Sequence, residues 1–256
     1  MQNLIMLTDL YQLTMMYGYH RHGISSRRAV FTMFFRDAPG LNYAVMAGNE
    51  QFREYIVNLR FGEADIAYLD GLKQFDRDFL DSLRNFRFTG DIDIIPEGTI
   101  VFPGEPLVRV DASLAQAQLV ETALLNLIGH QSLIATKANR VARAAAPGQV
   151  MEFGLRRAQG PDAGVLGARA AFVGGCTSTS NVLAGQRFGI PVSGTHAHSW
   201  VMSFDSELEA FRAYADCFPD KALLLVDTYD TLASGVPHAI KVFNELRARG
   251  HKPLGI

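Results

Sequence analysis

The sequence predicts an α/β protein in two parts, an α+β region over residues 1–130 and the first part of a β/α barrel over residues 131–256. Three observations lead there. Apolar residues at helical spacing dominate the opening, short strands punctuated by Pro and Gly follow Gly90, and beyond Pro147 a strand, a glycine-marked loop and a helix recur. With 256 residues, 48% of them hydrophobic and 20% charged, there is enough apolar material for one or two substantial cores.

Taken in order, Thr8 to Tyr19 predicts a helix, capped by Thr8 and carrying Leu10, Leu13, Met16 and Tyr17 at three- and four-residue intervals. Ala29 to Phe35 is β-branched and aromatic, as strands are, and stops at the turn of residues 37–40. Residues 43–86 carry helical spacing in two or three short pieces, and residues 90–112 predict short strands broken by Pro96, Gly98, Pro103, Gly104 and Pro106. Leu114 to Ala146 reads as a long helical stretch interrupted near Gly129, with Lys137, Arg140 and Arg143 on the faces left over. Four strand-loop-helix units follow, opening at residues 150–157, 170–175, 190–194 and 222–226, and the last leads into a helix from about His238 to Arg249. Residues 252–256 look like another strand beginning. Four such units do not close an eight-stranded barrel, so the sequence is expected to be truncated inside a domain.

The 24 basic and 26 acidic residues leave a net charge of -2 with no basic stripe, which excludes phosphate-backbone binding and makes nucleic acid an unexpected partner. Cys176 and Cys217 form neither a disulfide framework nor a zinc spacing, so a reducing, cytoplasmic setting is expected. The opening residues lack a basic region ahead of an apolar run, and no stretch of about 18 apolar residues exists to span a bilayer.

The loops after the four strands carry the chemistry. In the first, Glu152, Phe153, Arg156 and Arg157 combine an acid, an aromatic face and two guanidinium forks suited to carboxylate or phosphate; a surface Arg pair over a core Phe is the plain alternative. In the second, residues 174–181, small hydroxyls lead into a helix, which suits either an anion or ordinary capping by Thr177, Thr179 and Ser180. In the third, GTHAHSW at 194–200, His196 and His198 stand beside Ser193, Thr195 and Ser199, able to serve as acid, base or phosphoryl acceptor. The motif has no third ligand to complete a metal site, and a packed histidine remains an alternative for His196. In the fourth, Asp227 and Asp230 follow an apolar strand, with Asp227 placed for Mg²⁺ and diphosphate and Asp230 for capping.

TDLYQLTM at 8–15, EFGLRRAQGPD at 152–162, GTHAHSW at 194–200 and VDTYDT at 226–231, in this order, resemble the nicotinate phosphoribosyltransferases, as do residues 102–110 and 133–145. The resemblance covers nearly all of the chain. It implies the irregular β/α barrel of type II phosphoribosyltransferases and formation of nicotinate mononucleotide from nicotinate and phosphoribosyl diphosphate, an early step of NAD salvage. It further implies ATP as co-substrate, phosphorylating His198, and Mg²⁺ near Asp227. Nicotinate would lie between Phe153 and a Tyr11 contributed by the other subunit of a homodimer, with Arg156 and Ser178 beside it. Arg156, Arg157 and Thr195 would meet phosphoribosyl diphosphate. A hydroxyl at Ser178, where the nicotinamide-using relatives carry an aspartate, would favour the acid over the amide.

Family members continue beyond a strand like residues 252–256 into later loops that hold the 5′-phosphate, so this chain alone is expected to be weak or inactive, with an unpaired apolar edge at 253–256. Two rival readings are a quinolinate-type phosphoribosyltransferase, which leaves GTHAHSW unexplained, and a non-catalytic dimerisation module.

Overall fold

The computed structural model of the protein describes residues 3–256, and the chain divides into two compact units, one up to Pro191 and one from Val192 onward. The fold is α/β, as the sequence predicts.

The first unit opens with helix α1 (Leu10–Arg21), which buries Leu13 and Met16. Its N-cap is Asp9 rather than Thr8, and the Asp9 carboxylate makes no capping bond because it accepts the Thr122 hydroxyl at 2.9 Å. Strand β1 (Arg28–Met33) and the short β2 (Ala44–Val45) precede three helices, α2 (Asn49–Val57), α3 (Glu63–Gly71) and α4 (Arg77–Arg84). Strands β3 (Asp91–Ile94), β4 (Ile100–Val101) and β5 (Val108–Ser113) complete the layer. β5 is the centre of an antiparallel sheet in the order β1-β5-β3, and Val110 faces both Phe31 and Ile92. Alternation along β5 sends Val108, Val110 and Ala112 into a core shared with Phe52, Phe79, Leu83 and Ile128. On the opposite face the Asp111 carboxylate accepts from the guanidinium groups of Arg28 and Arg109.

Helices α5 (Leu114–Leu119) and α6 (Glu121–Ala145) form the long stretch. The break falls at Val120; Gly129, where the sequence suggested one, lies inside α6. One glycine in a helix well packed on one side costs only about 1 kcal/mol, too little to end it. Ser132 and Thr136 accept the amides of Ala47 and Val45 and so pin α6 to β2. Position 130/131, where the sequence suggested a division, lies within α6, and by contacts the chain divides after Pro191 instead. β6 (Met151–Glu152), a short helical turn at Leu155–Arg157, α7 (Pro161–Val173), β7 (Ser178–Thr179) and α8 (Val182–Phe188) follow. Residues 170–173, expected to be a strand, are the end of α7; the strand is Ser178–Thr179, after the glycine pair. The run of small and apolar residues there suits a buried helix end as well as a strand, which is an ambiguity of short apolar runs. β6 and β7 are parallel, and the Thr179 amide donates to the Pro191 carbonyl at 3.0 Å.

The second unit holds α9 (His198–Met202), α10 (Glu207–Cys217) and α11 (Val236–Ala248) around Phe211, Leu224, Val242 and Leu246. Leu223 pairs in parallel with Gly255, so residues 252–256 do run as a strand beside the preceding one. Among the described residues, no helix is long and apolar enough to cross a membrane.

Candidate active site

In the first unit, β6 delivers its C-terminal end into the Phe153 loop. Glu152 anchors this loop, because its carboxylate accepts the Gly154 amide and, at 2.6 Å, the Thr179 hydroxyl. Phe153 is 47% exposed, and among the described residues neither Arg156 nor Arg157, both exposed, makes a side-chain hydrogen bond or ion pair. A solvent-facing aromatic beside two uncommitted guanidinium groups is a surface able to take a flat anion. On β7, Ser178 lies opposite Met151 and is buried, while Thr179 faces the other way and is used by Glu152. The Asn181 side chain accepts the Ala184 amide at 3.1 Å, so capping of α8 falls to it and not to the neighbouring hydroxyls. Tyr11 is 49% exposed on α1, in an outward row with Leu7, Leu10 and Met15.

In the second unit, the loop before α9 is fastened to the strand segment at 222–226 at two points. The Thr195 hydroxyl donates to the Leu223 carbonyl, and the Leu225 amide donates to His196 Nε2 at 3.3 Å. The His196 ring is therefore an acceptor at Nε2, and it packs edge-on against Tyr214 with ring centres 4.8 Å apart. Burial, and then the charge of His198, push its pKa below the usual histidine range against the raising effect of the Ala197 carbonyl. His196 is thus a neutral, packed residue. His198 differs on each count: its side chain is 53% exposed, and Nε2 lies 3.1 Å from Oδ1 of Asp227, itself 63% exposed. A carboxylate accepts only, so Nε2 carries the proton and Nδ1 keeps its lone pair. Asp230 caps the next turn, accepting the amides of Leu232 and Ala233 at 3.1 and 2.8 Å.

Among the described residues, no three His, Cys, Asp or Glu side chains converge as a metal site. Asp227 spends one oxygen on His198, which leaves the other for a cation held mainly by a ligand's phosphates, the usual situation of Mg²⁺. A cleft of about 520 Å³ between α2 and β3 is lined by Phe52, Ile56, Phe88 and Ile92 and holds none of these residues. Concavity alone therefore does not find the site.

A model for the nicotinate phosphoribosyltransferase (NAPRTase) N-terminal domain matches residues 6–129, and one for the nicotinate phosphoribosyltransferase (NAPRTase) family matches residues 148–236. The chain belongs to the nicotinate phosphoribosyltransferase family. The nicotinate phosphoribosyltransferase of Bacillus subtilis (strain 168) is 48% identical over 243 residues, covering 94% of this chain and 49% of the relative. That of Caenorhabditis elegans is 36% identical over 304 residues, covering 98% of this chain and 54% of the relative. The chain thus spans about half the length of the curated nicotinate phosphoribosyltransferases it matches. The crystal structure of human nicotinic acid phosphoribosyltransferase superposes with a TM-score of 0.88 at 35% identity, covering 97% of this chain and 60% of that one. A nicotinate-nucleotide pyrophosphorylase from Pyrococcus furiosus, at a TM-score of 0.74 and 21% identity over 100% of this chain and 68% of that one, shares the fold.

Two residues that order this nicotinate phosphoribosyltransferase site carried little sequence signal. The loop-anchoring bond of Glu152 to Thr179 spans 27 residues, beyond any local pattern. The capping role of Asn181 was legible in principle, since an Asn before an apolar helical run is a standard N-cap.

Proposed function

We propose that the protein acts as a nicotinate phosphoribosyltransferase, forming nicotinate mononucleotide and diphosphate from nicotinate and phosphoribosyl diphosphate in NAD salvage, coupled to cleavage of ATP to ADP and phosphate. The observation that carries this reading is the His198–Asp227 pair, exposed at the end of a strand and fastened by His196 and Thr195 rather than by itself. In this reading ATP gives its γ-phosphoryl group to His198. The proton on Nε2 directs that group to Nδ1, where the new N–P bond forms as the bond to ADP breaks, and Asp227 balances the charge that develops on the ring. Phosphoenzyme hydrolysis then returns His198 and releases phosphate. Mg²⁺ would be held by Asp227 together with the diphosphate and would neutralise the leaving group as the ribosyl carbon becomes oxocarbenium-like.

Nicotinate would stack on Phe153, with its carboxylate toward Arg156 and the Ser178 hydroxyl, and phosphoribosyl diphosphate would draw on Arg156, Arg157 and Thr195. Thr195 offers only its lone pairs within the protein, because its hydroxyl hydrogen is spent on Leu223. The outward row of Leu7, Leu10, Tyr11 and Met15 suits a homodimer in which Tyr11 covers the partner's ring site. A cytoplasmic setting fits these substrates.

The test is transfer of label from γ-labelled ATP. The expected product is an acid-labile, alkali-stable phosphohistidine that is lost in His198→Ala, with nicotinate mononucleotide formation falling about 10²-fold or more in the same variant. Label that persists in His198→Ala would sink the mechanism.

A further inference from the structure

The chemistry proposed above leaves one buried ionisable group unused. Glu207, the first residue of α10, is 4% exposed, and no residue of the candidate site touches it. Its Oε2 accepts the hydroxyl of Ser234 and lies 2.8 Å from Nδ1 of His238, while Oε1 is buried with no partner. A carboxylate withdrawn from water is costly unless its bonds hold something in place, and these bonds hold the wide helical turn Thr231–Gly235.

That turn is fixed at two further points. Asp230 caps its start through the amides of Leu232 and Ala233. Gly235, next to Ser234, lies so close to the strand that a Cβ on it would stand 1.9 Å from the Val226 carbonyl oxygen. Val226 immediately precedes Asp227. The segment 227–229 is therefore a three-residue span whose two ends are both tied to the turn, and the turn is tied to α10 through Glu207.

We infer that Glu207 is a positioning residue for Asp227, holding Ser234 and with it the turn against Val226, so that the Asp227 carboxylate meets Nε2 of His198. An error of about 1 Å in such a pair is enough to lose the hydrogen bond and the choice of ring nitrogen that depends on it. The consequence for phosphoryl transfer rests on the reading of His198 as the acceptor; the mechanical coupling does not.

The experiment reads the coupling without using activity. Long-range proton–nitrogen NMR of the full chain reports the tautomer of each histidine, with His198 assigned through His198→Gln and the signature of a lost pair taken from Asp227→Ala. Glu207→Ala is expected to lose the single-tautomer signature of His198, as Asp227→Ala does, while His196 keeps its own. Glu207→Gln, which retains an acceptor oxygen for Ser234 and His238, is expected to restore the wild-type signature. A wild-type His198 signature in Glu207→Ala overturns the inference. If Glu207→Ala also erases the His196 signature, the unit has unfolded, and Ser234→Ala decides: an altered His198 upholds the coupling and an unaltered one overturns it. Failure of the catalytic reading looks different, as the NMR signatures then move as expected while the ATP-derived label does not depend on His198.

Discussion

His196 and His198 stand two residues apart in one loop, and only their surroundings separate them: one ring is packed against Tyr214 and accepts a backbone amide, the other faces solvent and a carboxylate. Spacing identifies the loop but not the reactive histidine, because that depends on Leu225 and Asp227, 29 residues away in each case. Glycines show the same limit. Gly129 and Gly174 look alike in sequence, yet a Cβ at Gly129 would meet nothing within 4 Å, whereas one at Gly174 would stand 2.3 Å from the Ala135 carbonyl oxygen. Gly129→Ala is therefore expected to stabilise the protein by about 0.5–1 kcal/mol through helix propensity. Gly174→Ala, which must push α7 off α6 at the entrance to the Ser178 loop, is expected to cost about 2 kcal/mol or more. Urea unfolding of the two variants checks both signs, and a destabilised Gly129→Ala would contradict the continuous helix.

At the scale of elements, helices are more legible than strands. The three helices within residues 43–86 announce themselves by periodicity, whereas β6 and β7 are two residues each and owe their existence to each other. The ties between elements are not local either. Glu97, between β3 and β4, accepts the Gly48 and Asn49 amides at the start of α2 and both terminal nitrogens of Arg169 on α7, at 2.9 and 2.6 Å; Arg169 also donates to Gln131 on α6. Burial pushes the Glu97 carboxyl up, but Arg169 and the two amides outweigh it and hold it below the usual glutamate range. Breaking one side of such a pair leaves a largely buried charge without its partner. Arg169→Ala is expected to cost about 3 kcal/mol, and Arg169→Met combined with Glu97→Gln to recover most of that, since the amides keep an acceptor and no charge is stranded. A double-mutant cycle by chemical denaturation measures it, and additive costs would show that the pair does not act as one group.

For the whole molecule, the two units differ in which groups respond to acid. In the first unit the shifted acids Glu50, Glu63, Asp76, Glu97 and Asp111 all lie below their usual values, Asp111 down to about 2 because Arg28 and then Arg109 bond its carboxylate against the cost of burial. A depressed carboxylate contributes stability that is present above its unfolded pKa and lost as pH falls through the folded one, so none of these groups matters above about pH 4.5. The second unit has His196, whose folded pKa lies below the unfolded 6.5. There the unfolded chain binds more protons, so stability is full above about pH 6.5 and declines as pH drops from that value toward the folded pKa. Between about pH 7.5 and pH 5.5, therefore, the second unit is expected to loosen while the first does not. Hydrogen exchange followed by mass spectrometry, corrected for the intrinsic pH dependence of exchange, should show protection falling in residues 192–256 and unchanged in the β1-β5-β3 sheet. His196→Gln, which keeps an acceptor for the Leu225 amide and cannot titrate, should flatten the response. Equal loss of protection in both units, or an acid response that survives His196→Gln, would mean that a different group sets the acid sensitivity.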